Sequence, residues 1–135
     1  MQFAQICDRV EAQGGEVDRS ALVGTWINSN LDTTSIARVK ISDANGRLQL
    51  QVFAIGPDGL IDWGTSDAQI FAGGPSSRTG VGFTCRYDFG FAEARLQAMI
   101  MKGLLVLAQF HLFKDDSGRA DYFLREYFAL SHDRF

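Results

Sequence analysis

The chain alternates apolar and polar residues over most of its length. Ile36 to Ser42 sets Arg38 and Lys40 against Ala37, Val39 and Ile41, and Leu48 to Ile55 alternates leucine with glutamine. Val81, Phe83, Cys85, Tyr87 and Phe89 share one parity, with Thr84, Arg86 and Asp88 on the other. A period of two marks a strand with one buried and one wetted face. The longest such run is Phe91 to Met101, where Ala92, Ala94, Leu96, Ala98 and Ile100 oppose Glu93, Arg95, Gln97, Met99 and Met101. Its Ala, Glu, Leu, Gln and Met content also suits a helix, but the strict alternation favours a strand. Leu104 to Phe113 and Tyr122 to Leu130 add two more strands, and the segments 21–28 and 67–72 complete a predicted set of eight.

Turn signals separate these runs. Asp43-Ala44-Asn45-Gly46-Arg47 is a hairpin turn, Gly56-Pro57-Asp58-Gly59 a second, and Lys114 to Arg119 a third. The Gly- and Ser-bearing stretch 73–80 reads as a mobile rim loop. The short connections of the second half require antiparallel neighbours. The prediction is therefore a mainly β fold, an eight-stranded antiparallel up-and-down barrel over 21–131. Before it, Phe3, Ile6, Cys7 and Val10 fall at helical spacing and stop at Gly14-Gly15, which predicts a short N-terminal helix over 1–14. At 135 residues the whole chain reads as a single domain.

Composition narrows the function. A formal net charge of −3 supplies no basic face for nucleic acid. Cys7 and Cys85 have no metal-ligand spacing and read as two reduced thiols rather than a disulfide. The N-terminus lacks a basic start and a long apolar run, and no stretch is long enough to span a bilayer as a helix, so a cytoplasmic location without a membrane partner is expected.

Gly24-Thr25-Trp26, following an amphipathic N-terminal turn, resembles the first-strand motif of the lipocalin and wider calycin families. The resemblance implies that Trp26 packs at the closed base of the barrel. It also implies that an arginine of the last strand, Arg125 here, stacks over that indole, a contact of roughly 0.5–2 kcal/mol. Leu22 to Asn28 is also similar to the opening of avidin-type barrels. Those barrels line a biotin pocket with several tryptophans, whereas this chain has only Trp26 and Trp63, so biotin is not the expected ligand.

Function turns on cavity volume. If the alanine-rich face of 92–100 points inward, with Ala37, Ala54, Ala68 and Ala108 alongside, space remains for a guest; large residues on facing strands would fill it instead. The candidate ligand-binding residues are Trp26, Asn28, Phe53, Trp63, Phe83, Tyr87, Phe110, His111, Arg125 and Tyr127. His111 is the histidine placed to reach an interior, with a titration range suited to handling protons. Glu93, Arg95 and Glu126 form an interior polar set only if the inward faces are reversed. No nucleophile elbow, metal-ligand cluster or phosphate-cradling loop is readable, so neither cofactor nor metal is expected and no catalytic residue is assigned. The expected function is binding of a small apolar or amphipathic molecule. The alternatives are a small cyclase or isomerase that works by orienting a reactive substrate, and a partner-binding domain with a filled barrel. Self-association into a homodimer is left open.

Overall fold

The computed structural model describes residues 17–132. Eight strands follow one another: β1 (Gly24–Asn28), β2 (Ile36–Ala44), β3 (Arg47–Gly56), β4 (Gly59–Ala72), β5 (Gly80–Asp88), β6 (Ala92–Met101), β7 (Leu104–Phe113) and β8 (Tyr122–Ser131). Each pairs antiparallel with the next, and β8 returns to β1 to close the barrel. Closure leaves no free sheet edge. The expected helix over 1–14 lies outside the described residues. Ala92 to Met101 is a strand, so its alternation prevails over its helix propensity.

One boundary differs substantially from the sequence reading. β4 begins at Gly59 rather than at residue 67, because Asp62-Trp63-Gly64 lies within the strand. Gly64 adopts a φ of 83°, and the register against β3 shifts between Gln51 and Phe53. A bulge with glycine in the left-handed region bends a strand without ending it, and here it falls beside Trp63.

The register fixes the inward face. Trp26 pairs with Val39 and Leu130, Phe83 with Ala98, Tyr87 with Ala94, and Leu107 with Ala98. Directly opposed residues share a face, so even positions of β6 and β8 and odd positions of β5 and β7 point inward. The alanines of β6 do face the interior as expected, but they leave little room. Ala98 sits between Phe83 and Leu107, and Ala94 between Tyr87 and His111. Small residues on one strand are matched by large ones on its neighbours, as close packing demands. Phe83, Phe128, Leu50, Leu105 and Leu107 are essentially inaccessible, and the barrel is filled through its middle.

Segment 17–23 crosses one end. Leu22 is fully buried there, and its carbonyl accepts a 2.9 Å hydrogen bond from Trp26 Nε1. The Asp18 backbone bonds to Arg78 O (2.6 Å) and accepts from Gly80 N (2.9 Å), tying the segment to the β4–β5 loop. This is the closed end. The opposite end is framed by the β1–β2 loop, the β3–β4 and β5–β6 turns and the β7–β8 loop.

Candidate functional site

The interior is lined at the open end by aromatic rings. The bulge at Gly64 and the inward parity of Tyr87 and His111 bring Trp63 5.4 Å from the Tyr87 ring, 5.0 Å from Phe89 and 6.3 Å from His111, each edge to face. His111 and Tyr122 are directly opposed on β7 and β8 and stack at 4.6 Å with planes 9° apart. Phe113 lies 6.1 Å from Tyr122 and Phe91 6.4 Å from Phe89. Edge-to-face and offset geometries are those that ring quadrupoles favour. Together with Ile61, Asp62, Ala92 and Arg119 these groups, Tyr87 excepted, line an open cup of ≈530 Å³. That volume falls in the range of small-molecule sites, which are apolar concavities with a few polar groups.

Polar groups lie beneath and beside the cup. Gln109 Oε1 accepts from Ser35 Oγ at 3.1 Å and lies 3.0 Å from His111 Nε2. Gln109 is fully buried, and its Nε2 has no hydrogen-bond partner among the described residues. Glu126, inward on β8, accepts from Thr33 Oγ1 at 2.9 Å, and Asn28 Nδ2 donates to Ile36 O at 2.9 Å. Burial lowers the His111 pKa, since desolvation penalises the imidazolium. Burial likewise raises that of Tyr87, whose hydroxyl lies 3.0 Å from Gly64 O and 3.2 Å from Leu50 O. The phenol is therefore a neutral tie between the β4 bulge and β3.

The β7–β8 loop leans over the cup. Arg119 Cζ lies 4.2 Å from the Phe113 ring centroid and 5.5 Å from Phe91. Its Nη2 bonds Asp115 at 2.8 Å and its Nε bonds Ser117 Oγ at 2.9 Å, which hold the guanidinium over the rings.

Of the residues singled out from sequence, the structure brings Trp63, Tyr87 and His111 together at the open end. Phe83 lies deeper in the packed interior, and Asn28 ties β1 to the start of β2. Trp26 is buried near the closed end, as the calycin resemblance implies. Phe53, Phe110, Arg125 and Tyr127 lie on the outer face by parity. Arg125 pairs with Ala108, on the surface opposite to Trp26, and Leu130 takes the place beside the indole. Ala108 is likewise outward. Phe53 is covered by Arg38 at 5.6 Å, and Phe110 stacks on Phe123 at 5.4 Å. Glu93 also faces outward, where bonds from Arg86 and Arg95 hold its carboxyl below the usual range; only Glu126 of the expected polar set is interior.

A second concavity of ≈470 Å³ includes Arg95, Gln97, Phe110 and Phe123 on the convex outside of the barrel. Phe91, Phe113, Arg119 and Tyr122 of the cup were missed from sequence. Phe113 shares the parity of His111 and was recoverable on that ground; Arg119 lies in a loop that no periodicity describes.

Among the described residues, no group of three or more His, Cys, Asp or Glu side chains is arranged to hold a metal ion, and no helix is long and apolar enough to cross a membrane. The fold and site define a closed eight-stranded antiparallel barrel with a packed middle and an aromatic cup at one end. The chain matches no protein-family model, no curated protein and no solved structure.

Proposed function

We propose that this protein is a lipocalin-like binding barrel that takes a small apolar or amphipathic molecule at its open end. The observation that carries this reading is the ≈530 Å³ cup, whose walls include Trp63, Phe89, Phe91, Phe113 and Tyr122 in a barrel otherwise filled by its own side chains. Aromatic rings left partly exposed around a concavity give up water to an apolar guest at about 25 cal/mol per Å² covered. Phe91, Tyr122 and Ile61 are each about half exposed, so apolar area remains there for a guest to cover. The guest sits in the mouth rather than along the barrel axis, because Phe83, Phe128 and Leu107 occupy the middle.

The two tryptophans supply the test. Trp63 lines the cup and Trp26 is buried near the other end. In a Trp26→Phe protein, titration with an environment-sensitive apolar dye is expected to quench or shift Trp63 emission saturably at one site per chain. In a Trp63→Phe protein the Trp26 signal should stay unchanged. Native mass spectrometry of freshly purified protein is expected to show a retained small mass. Dye uptake that is unsaturable, or that moves Trp26 and not Trp63, would refute the reading.

A further inference from the structure

The two ends of the barrel differ in charge. The connections at the open end hold five carboxylates, Asp32, Asp58, Asp115, Asp116 and Asp121, against Lys114 and Arg119. Asp62 adds a sixth beside the cup, its carboxylate accepting from Gly64 N at 2.7 Å and from Gln51 Nε2 at 2.9 Å. Both cations are already paired: Lys114 bonds Asp88 at 2.7 Å and Arg119 bonds Asp115 at 2.8 Å. At the closed end, segment 17–23 and the connections there hold Asp18 against Arg19, Arg78 and Lys102. Among the described residues the mouth is therefore the negative pole.

A second observation concerns what already occupies the rings. Arg119 places its guanidinium 4.2 Å from the centroid of Phe113 and within 5.5 Å of that of Phe91, the arrangement in which a cation is drawn to the negative face of an aromatic ring. The cup thus shows, with its own side chain, that its rings accept a cation. A carboxylate head entering the same space approaches the Asp115 carboxylate bonded to Arg119, and the guanidinium lining the cup is already neutralised by it.

Resting on the binding function proposed above, we propose that the ligand is a cationic amphiphile: an amine or quaternary ammonium attached to an apolar body. The body lies against Trp63 and Phe89. The cationic head takes the place over Phe113 and Phe91 that Arg119 holds in the free protein, within the field of the carboxylates around the mouth. Arg119 swings aside on its loop with Asp115 and acts as the internal competitor of the ligand.

Octyltrimethylammonium, 1-octanol and octanoate share one tail and differ in head charge. They are titrated below their aggregation limits against Trp63 fluorescence in the Trp26→Phe protein. Expected is tightest binding of the ammonium, by about tenfold over octanoate, the combined scale of a cation–π contact and screened Coulomb attraction. The gap should narrow in high salt. The double variant Asp62→Asn and Asp116→Asn should narrow it further, and Arg119→Gln should raise the ratio of ammonium to octanol affinity severalfold. Equal binding of all three, or tightest binding of octanoate, overturns the cationic assignment and leaves the pocket standing; the second result would make Arg119 an anion anchor. Failure of all three to perturb Trp63 overturns both the assignment and the binding function beneath it.

Discussion

Replacing Phe83 by alanine tests whether the barrel middle is filled by aromatic rings set over small neighbours. Phe83 is 1% exposed and opposes Ala98 on one side and Ile70 on the other. Ala98 cannot extend into the space the ring leaves, and the closed sheet resists collapse, so the variant bears both the transfer loss and the cavity term. Large-to-small changes of this kind cost about 3–5 kcal/mol. With an unfolding entropy of about 2.1 cal/mol/K per residue, a chain this size loses about 0.28 kcal/mol/K at its midpoint, so Tm should fall by about 11–18 °C. Urea unfolding followed by circular dichroism gives the free energy directly. The decisive arm is the exchange Phe83→Ala with Ala98→Phe. Ala98→Phe alone overpacks the wild-type interior and costs about 1–3 kcal/mol. If the two positions share one volume, the double variant is more stable than the summed single effects by more than about 1 kcal/mol. Additivity within about 0.5 kcal/mol, the behaviour of independent sites, would refute the reciprocal packing.

Further outcomes follow from single features. Gly82→Ala should destabilise by about 1–3 kcal/mol, because a Cβ there would lie 2.5 Å from the Ala98 carbonyl oxygen, a backbone atom held in the β6 ladder; an unchanged urea midpoint would count against that close approach. Tyr87→Phe removes the hydroxyl that joins β5 to Gly64 O and Leu50 O and should cost about 1 kcal/mol in the same assay, with a loss near zero showing that the tie contributes nothing. Burial lowers the folded-state pKa of His111 below its ordinary 6.5, so the unfolded chain takes up that proton first. The stability this residue contributes is full above about pH 6.5 and declines as pH falls below it; His111→Phe should flatten that part of the urea-midpoint profile, and parallel profiles would refute the assignment. The buried Cys85 thiol, its pKa raised by desolvation, should react with Ellman's reagent in a Cys7→Ser protein only after denaturant is added; prompt reaction of the native protein would contradict its burial.

Periodicity carried the fold further than the site. Leu104 to Phe113 was legible to the residue, and so was the division of β5 and β6 into two faces, because both strands present one dry and one wet face. Alternation, however, reports one strand at a time, whereas an empty or filled interior depends on which residues stand opposite one another. Ala94 and Ala98 look like vacated volume until the register sets Tyr87 and His111, Phe83 and Leu107 beside them. The same limit explains the dispersed site residues. Phe110 and His111 are adjacent and cannot both face inward on a regular strand; period two alone excludes one of them, and the register shows that it is Phe110. Arg125 fails on similar grounds, since inward Phe128 and Leu124 fix its parity as outward. Trp63 was a candidate ligand-binding residue, but the predicted strand began only at residue 67, because a glycine next to an Asp-Trp pair resembles a terminus. What made the cup invisible is that its walls come from strand ends and loops. There Gly64, the Phe89-Gly90-Phe91 turn and the Arg119 loop aim side chains through backbone geometry that hydrophobic patterning does not encode.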